Sequence, residues 1–430
     1  MKDGGRLAAA IEVLTEVETR HRPVQLALRD WGTAHRFAGS GDRTVIGNLV
    51  FDALRHKLSL AERMGDASPR ALVLATYTAG WQQGLERLTE VLENDRHAPE
   101  GLSEQETAAL NGFEAVSLSG NKAADVPEWL WPAFQQAFGE NAVAEGQALG
   151  ERAPIDLRTN TLKSDRDKLL KRLAHTGAVA TSITGTALRI AAKPGAARMP
   201  HVQAEEGYQK GWFELQDEAS QVAAQLAGAK PGDQVLDLCA GGGGKTLALA
   251  ASMQNKGQIY AYDADRLRLA PIHDRIKRAG AHNIQVRDPA SSKLDDLEGG
   301  MDLVFVDAPC TGTGVWRRRP DSKWKLTEKA LEDRLQEQTK VLESAARYVK
   351  PGGRLVYATC SILPAENGEQ IDRFLAERSD FSPVSALEEW KVRFGDAPMP
   401  AYVTQRGDVT LTPATTQTDG FFLAILRKDG

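Results

Sequence analysis

The chain has 430 residues, of which 42% are hydrophobic and 26% are charged, so it can bury a core in about three domains of roughly 150 residues each. Its net charge of −5 excludes a uniformly basic coat for nucleic-acid binding. Three cysteines, Cys239, Cys310 and Cys360, are too few for a disulfide scaffold or a four-cysteine zinc site. The sequence has no apolar run of roughly 18 residues and no signal-peptide pattern. We therefore expect a cytoplasmic protein with no membrane segment and no metal.

The first 95 or so residues are predicted to be helical, because apolar side chains recur there at helical spacing. Leu7, Ile11 and Leu14 give the first such face. Ser68 followed by Pro69 is typical of a helix start, with an N-cap hydroxyl and a first-turn proline.

Charge changes sign along the next part of the chain. Residues 81–140 hold eleven acidic against three basic side chains, either as a solvated surface or as a surface for a basic partner. Residues 151–200 hold ten basic against four acidic side chains, with strand patterns at 155–158 and 187–190 around a helical stretch near 165–175. This small α+β module is either an ordinary charged surface or a platform for nucleic-acid phosphates.

From about residue 210 strands and helices alternate, which is typical of a parallel, doubly wound α/β sheet. The predicted strands cover residues 234–238, 258–262, 283–286, 303–306, 354–358 and 421–426. The predicted helices among them cover residues 245–253, 264–279 and 327–349. In such a sheet, ligands bind at the carboxyl ends of the strands.

A run of four glycines, Gly241 to Gly244, lies between the first of these strands and the next helix. Glycines let backbone N–H groups approach a ligand closely. Asp263 follows Gly243 by 20 residues, the spacing at which an acid reaches ribose hydroxyls. A P-loop would need glycine where Cys239 stands. A nicotinamide site and a glycine turn without a ligand stay open, and an S-adenosylmethionine site fits the pattern best.

The other two cysteines also fall at predicted strand ends. Cys310 follows Asp307-Ala-Pro and Cys360 follows Tyr-Ala-Thr, whereas Cys239 is better explained as a small buried hydrophobe. A thiolate that adds to carbon 6 of cytosine makes carbon 5 able to take a methyl group from a sulfonium, and loss of the carbon 5 proton then releases the thiol. In this chemistry Asp307 can contact the N3 and amino edge of the base. Lys245 is a candidate neighbouring cation, and the second thiol can assist release.

The segment after Cys310 combines arginines with tryptophans. Three consecutive arginines, Arg317–Arg319, stand between Trp316 and Trp324. This composition suits phosphate contacts with base stacking, and the alternative is a solvated basic loop.

These motifs together resemble the RsmB/NOP/Sun family of RNA 5-cytosine methyltransferases over roughly residues 125–430. The motifs that carry the resemblance are Val126-Pro-Glu-Trp129, Ala153-Pro-Ile-Asp-Leu-Arg-Thr-Asn-Thr-Leu162, Gln216-Asp-Glu-Ala-Ser220, Leu238–Thr246, Asp307-Ala-Pro-Cys310, Tyr357-Ala-Thr-Cys-Ser361 with Glu366-Asn367, and Asp419-Gly-Phe-Phe422. The resemblance implies a class I methyltransferase fold, Rossmann-like with a mostly parallel doubly wound sheet.

The resemblance also implies a role for each matching position. It makes Cys360 the nucleophile that forms the adduct at carbon 6 and Cys310 the thiol that helps to release the product. It places Asp307 between cofactor and cytosine, with Lys245 as the further catalytic candidate. The residues that it assigns to S-adenosylmethionine are Cys239, Ala240, Gly241, Gly242, Gly243, Gly244, Lys245, Asp263 at the ribose, Arg268, Asp288 at the adenine side, and Asp307.

Gly241-Gly242, Thr311 and the Arg-Asp-Pro-Ala setting of Asp288 depart from the family pattern. Gly241-Gly242 stands where the family usually has Ala-Pro, which predicts a looser cofactor loop. Thr311 stands where serine is common.

The N-terminus resembles the helical NusB-like domain of the bacterial ribosomal RNA members, chiefly from Asp42-Arg43 through Leu54-Arg55-His56 and in Ser68-Pro-Arg-Ala71. The expected domains are therefore a helical NusB-like domain at 1–140, a basic RRM-like RNA-binding module at 141–208 and a catalytic domain at 209–430. The 151–200 charge excess lies in the second of them.

We expect a monomeric RNA cytosine C5 methyltransferase that acts on ribosomal RNA of the small subunit. Transfer RNA is the alternative substrate, and a non-catalytic RNA-binding assembly factor on the same scaffold is the alternative function. The basic module argues against a methyltransferase for proteins or small molecules.

Overall fold

A computed structural model describes residues 1–290 and 294–430. The chain forms two compact units. The helical unit comprises Met1–Ala153, Ala192–Met199 and Trp316–Leu326, and the sheet unit comprises Pro154–Ala191, Pro200–Val315 and Thr327–Gly430. The expected division at residues 140 and 208 stays a prediction.

Amphipathic helices build the helical unit around one apolar core. They are α1 (Asp3–Arg20), α2 (Val24–Ala34), α3 (Ser40–Arg55), α4 (Lys57–Met64), α5 (Pro69–Ala75), α6 (Leu85–Asn94), α7 (Glu104–Asn111), α8 (Gly120–Ala123), α9 (Trp131–Phe138) and α10 (Ala142–Gly150). Leu7 and Leu14 are fully buried in the core, as their spacing predicts. The predicted start at Ser68 is confirmed, because its side chain accepts a hydrogen bond from the Ala71 amide at the first turn of α5.

The arginine- and tryptophan-rich segment after Cys310 belongs to the helical unit, and its interpretation as an RNA-stacking loop is wrong for Trp316. Trp316 is 1% exposed and stacks on Phe134 with 5.6 Å between ring centroids. The indole of Trp324 donates a hydrogen bond to the Leu54 carbonyl at 2.7 Å. The buried stacking contact of Trp316 stabilises the unit itself and leaves that ring unavailable to a base. Trp324 is half-buried, with Lys57 and Lys323 over its ring.

The basic module forms a small antiparallel sheet in the sheet unit. Its strands are β1 (Ile155–Thr159), β2 (Val179–Ala180), β3 (Ala187–Ile190) and β4 (Phe213–Leu215), in the order β2-β3-β1-β4. Helices α11 (Arg166–Arg172) and α12 (Glu206–Gln209) complete it.

A large mixed sheet follows. Its strands are β5 (Gln234–Asp237), β6 (Gln258–Tyr262), β7 (Ile284–Arg287), β8 (Met301–Asp307), β9 (Val349–Thr359), β10 (Phe381–Val384), β11 (Tyr402–Val403), β12 (Val409–Leu411) and β13 (Phe421–Lys428). The helices of this part are α13 (Glu218–Leu226), α14 (Gly244–Ser252), α15 (Arg266–Leu269), α16 (Ile272–Ala279), α18 (Glu328–Tyr348), α19 (Gly368–Glu377), α20 (Ala386–Phe394) and α21 (Pro413–Thr416), while α17 (Pro320–Lys325) lies in the helical unit.

The strand order β11-β12-β13-β9-β8-β5-β6-β7 determines where a ligand can bind. Pairing is parallel from β7 to β9 and antiparallel beyond β9. The chain leaves β5 toward β6 on one side and later returns to place β8 on the other side. The crevice at such a reversal, beyond the carboxyl ends of β5 and β8, is the usual ligand site of a doubly wound sheet. The predicted fold class is confirmed.

The single predicted helix at 264–279 is two helices. Pro271 lacks an N–H group and precedes α16, which separates it from α15. The short strands β10, β11 and β12 are not among the predicted strands. Two or three residues of β11 and β12 give too little alternation to recognise, and Pro383 argues against a strand at β10.

Candidate functional site

The two strand-end cysteines meet at the carboxyl edge of the large sheet. The strands β8 and β9 are parallel neighbours. Cys360 follows β9 directly, and Cys310 lies three residues beyond the end of β8. Their sulfur atoms lie 3.3 Å apart, a hydrogen-bond distance for thiols. Both side chains are partly exposed, so the pair is open to a substrate.

Hydrogen bonding and burial make the two thiols unequal. The hydrogen bond with Cys360, followed by burial, raises the pKa of Cys310 well above its usual value. Cys310 therefore keeps its proton and can donate it in a hydrogen bond to the sulfur of Cys360.

Lys245 and Asp307 form an ion pair beside the thiols. The Lys245 Nζ lies 2.7 Å from the Asp307 Oδ2, and Lys245 also lies over the ring of Phe421. Burial lowers the pKa of Lys245, but the Asp307 carboxylate and then the charge of Cys360 more than offset this and raise it overall. Lys245 is thus a fixed positive charge whose field reaches Cys360. Asp307 keeps a third of its side chain exposed.

The glycine loop bends back onto β6 and α16. The Gly241 amide donates to Asp263 Oδ2 at 2.9 Å, while Arg275 donates to the Gly242 carbonyl at 2.7 Å. Gly241 and Gly243 have φ of 49° and 81°, values that favour glycine. A Cβ on Gly243 would lie 2.5 Å from Ile272 Cγ1, so this position admits no side chain without a shift. Gly241 and Gly242, which stand where the family usually has Ala-Pro, are therefore both held in place by hydrogen bonds.

Asp237, at the end of β5, has no role in the sequence interpretation. It is fully buried, and burial raises its pKa to about 7 despite a hydrogen bond from Thr246. Its Oδ1 has no hydrogen-bond partner among the described residues. An acid directly before a glycine loop is the sequence signal that could have drawn attention to it.

The remaining predicted residues lie around this loop at different depths. Asp263 is buried and accepts backbone N–H groups with both carboxylate oxygens. Burial raises the pKa of Cys239, which packs on the core as a small hydrophobe. Arg268 is exposed near Gly241. Asp288 follows β7 and is 40% exposed, with Arg266 as its nearest charged partner at 3.6 Å.

These residues fit S-adenosylmethionine. Helix α14 begins at Gly244, and no described side chain caps its first amides, which leaves them for an anionic group such as a carboxylate. The loop glycines leave room for backbone approach, and Asp263 is an acceptor for hydroxyl groups. The orphaned Asp237 oxygen adds a buried polar atom beneath the loop.

In the described residues, no helix combines the length and apolar character that a bilayer crossing needs. That same part of the chain has no group of three metal-ligating side chains.

Comparisons with known proteins identify the family of the chain. Residues 224–427 match the model of the 16S rRNA methyltransferase RsmB/F family, and residues 126–195 match the ferredoxin-like domain of RsmF/B-like methyltransferases. The chain is 33% identical over 357 residues to the "Probable ribosomal RNA small subunit methyltransferase B" of Synechocystis sp., an alignment that covers 80% of this chain and 75% of that protein.

A second relative is the ribosomal RNA small subunit methyltransferase B of Cronobacter sakazakii, with 33% identity over 70% of this chain. The alignment spans 66% of that relative's length. The crystal structure of PH0851 superposes with a TM-score of 0.72 at 27% identity, covering 100% of this chain and 99% of that one. The predicted family resemblance and the S-adenosylmethionine cofactor are confirmed. The chain belongs to the RsmB/F family of S-adenosylmethionine-dependent methyltransferases.

Proposed function

We propose that this protein methylates carbon 5 of a cytosine in small-subunit ribosomal RNA, through a covalent bond between Cys360 and carbon 6 of the base. The observation that carries the proposal is the pair of thiols 3.3 Å apart at the ends of β8 and β9, beside the Lys245–Asp307 ion pair. The ribosomal target is supported by the names of the relatives above.

The reaction divides one difficult substitution into additions and eliminations. The Cys360 thiolate adds to carbon 6, and the electrons of the 5,6 double bond make carbon 5 nucleophilic. Carbon 5 takes the methyl group from the sulfonium of S-adenosylmethionine, whose sulfur keeps the bonding electrons. A solvent water then takes the proton of carbon 5, the 5,6 double bond forms again, and the sulfur of Cys360 leaves with its electron pair.

Each neighbour of Cys360 has a part in this sequence. The positive charge of Lys245 favours the thiolate before attack. The Asp307 carboxylate accepts a hydrogen bond from the exocyclic amine of cytosine, a donor that uracil lacks. Because Cys310 retains its proton, it stabilises the departing Cys360 thiolate with a hydrogen bond and so assists release.

A basic and aromatic surface of the small sheet supports RNA as the substrate. The ring of Trp212 is contacted by Lys168 at 5.3 Å, by Arg172 at 4.6 Å and by Lys210 at 5.4 Å. All three cations are exposed. Cations held around an aromatic ring suit phosphates with an adjacent unpaired base.

The test is transfer of labelled methyl groups from S-adenosylmethionine to transcripts of small-subunit ribosomal RNA and of transfer RNA. Wild-type protein is expected to produce 5-methylcytosine in the ribosomal transcript. Cys360→Ser, which keeps the size of the side chain, and Cys360→Ala are expected to abolish the product while cofactor binding, measured by calorimetry, persists. Methylation of transfer RNA alone would show that transfer RNA, and not ribosomal RNA, is the substrate. Cofactor binding without methyl transfer to either RNA would favour a non-catalytic assembly factor.

A further inference from the structure

A buried carboxylate joins the two cysteine-bearing loops. Glu366 has no exposed surface and lies in a short turn, Pro364–Glu366, after Cys360. Its Oε1 accepts the backbone N–H of Thr311 at 2.8 Å, and its Oε2 accepts the Thr311 hydroxyl at 2.5 Å. The Ser361 hydroxyl donates to the same Oε2.

The two residues that Glu366 holds are the chain neighbours of the two thiols. Thr311 directly follows Cys310, and Ser361 directly follows Cys360. One side chain therefore fixes the backbone beside both sulfur atoms, although 50 residues of chain separate the cysteines.

Further hydrogen bonds hold the carboxylate and the loops in the same arrangement. Gln338, on α18, donates its side-chain amide to Glu366 Oε1 at 2.9 Å. The Tyr357 hydroxyl donates to the Glu366 carbonyl at 2.7 Å. The Thr313 and Ser361 hydroxyls lie 2.9 Å apart, which joins the two loops a second time.

The donor pattern requires a carboxylate. Four donors arrive at the two oxygens, from the amide and hydroxyl of Thr311, the hydroxyl of Ser361 and the amide of Gln338. A glutamine at 366 would turn an NH₂ group toward part of this set, and one buried donor would face another. The loops would then have to move apart.

We propose that Glu366 is a positioning residue, which holds the Cys310 and Cys360 thiols at their reacting separation. It touches neither thiol, and it acts through Thr311 and Ser361. The inference rests on the proposed function, because it assigns the thiol pair to one reaction. Displacement of about 1 Å in a reacting group costs roughly 100-fold in rate, so removal of these hydrogen bonds slows the methyl transfer step.

The electrostatic influence of Glu366 gives a second, independent readout. Its negative charge is one of the causes that raise the pKa of Cys310, after the hydrogen bond with Cys360, burial and the charge of Cys360. Removal of that charge therefore makes Cys310 lose its proton at lower pH, in the absence of any RNA.

The test compares Glu366→Gln with Glu218→Gln. Glu218 is a matched control because it is also a buried carboxylate that fastens a loop, accepting the Thr181 hydroxyl at 2.5 Å and the Thr184 amide at 3.0 Å. Glu366→Gln is expected to lower the single-turnover rate of methyl transfer roughly 10- to 100-fold, with KM for RNA and cofactor changed less than about twofold. Glu218→Gln is expected to lower the melting temperature without lowering that rate.

Alkylation of Cys310 by iodoacetamide, followed by mass spectrometry across pH, supplies the readout without RNA. In Glu366→Gln the alkylation profile of Cys310 is expected to move to lower pH. If Glu366→Gln fails to fold, Thr311→Val and Thr311→Ser replace it, and only the valine variant, which lacks the hydroxyl, is expected to slow transfer.

The outcomes separate the two proposals. Wild-type protein that transfers no methyl group to RNA contradicts the proposed function, and the alkylation profile still reports on Glu366. An unchanged single-turnover rate and alkylation profile in Glu366→Gln overturns the positioning role. An equal loss of rate in Glu218→Gln overturns it as well.

Discussion

The helical unit and the sheet unit each enclose a lysine, and their surroundings differ in a way that separates structure from chemistry. Lys323 in the helical unit is 1% exposed and donates to the backbone carbonyls of Arg55 and Asp125. Burial lowers its pKa to about 8. Lys245 in the sheet unit keeps 12% of its side chain exposed and pairs with the charged Asp307. Lys323 thus stabilises the helical unit by donating to backbone carbonyls, whereas Lys245 provides a partly exposed positive charge in the sheet unit.

Removal of each lysine charge in turn is expected to have the largest effect. Lys245→Met is expected to lower the methyl-transfer rate about 100- to 1,000-fold, because the thiolate and the base lose an oriented charge. Lys323→Met is expected to leave the rate of the folded protein nearly unchanged. Labelled methyl transfer under single-turnover conditions measures both, and a comparable loss in the two variants would contradict the distinction.

The second prediction concerns stability and pH. Between about pH 8 and pH 10.5 the unfolded chain binds a proton at Lys323 that the folded chain has released, so wild-type stability is expected to rise with pH across that window. The difference corresponds to roughly 3 kcal/mol in full. Lys323→Met is expected to lack this rise. Urea unfolding of both proteins at pH 7.5, 9 and 10.5 measures the free energy of unfolding. The same pH dependence in wild type and Lys323→Met would contradict the lowered pKa of Lys323.

The contribution of Lys245 to stability changes with pH in the opposite direction. Its pKa is raised, so its pairing with Asp307 stabilises the folded state below the usual lysine pKa and is lost as pH rises beyond it. The wild type minus Lys245→Met difference is therefore expected to fall at high pH, where the difference for Lys323 grows.

The smallest expected effect concerns the surface around Trp212. Replacing Lys168 and Arg172 with glutamine is expected to weaken RNA binding and to reduce the salt dependence of log K by roughly 0.7 for each phosphate that is no longer neutralised. Lys230 and Lys256, exposed before the amino ends of β5 and β6, provide the matched control pair. Binding isotherms at several salt concentrations measure both, and equal slopes would remove the RNA role of this surface.

The sequence predicted six strands of the large sheet, because short apolar runs alternate there with helical stretches. Every predicted strand lies on an observed one, and β6 matches at both ends. The sequence does not predict β11 and β12 because periodicity cannot be read over two or three residues, and Pro383 disfavours a strand at β10. The break at Pro271 could have been predicted from the missing N–H group.

The site was predictable only in part. Cys310, Cys360 and Asp307 stand at or just beyond strand ends, and Lys245 lies in the first turn of the helix after the glycine loop, so the doubly wound pattern predicts that they share one edge of the sheet. Glu366 lies 55 residues from Thr311, and no local pattern reveals that partnership. At Trp316 the sequence predicted a functional surface that the structure does not have. A segment rich in arginine and tryptophan has the same composition whether its rings are exposed or buried, so composition alone cannot tell the two cases apart.

The most direct test of the central claim is covalent trapping. Cys310→Ala lacks the proton donor that assists release, so it is expected to accumulate an RNA–protein adduct that survives denaturing electrophoresis and contains the transferred methyl group. The double variant Cys310→Ala with Cys360→Ala is expected to form none. An adduct that persists without Cys360, or no adduct in Cys310→Ala while 5-methylcytosine is still produced, would contradict the two-thiol mechanism.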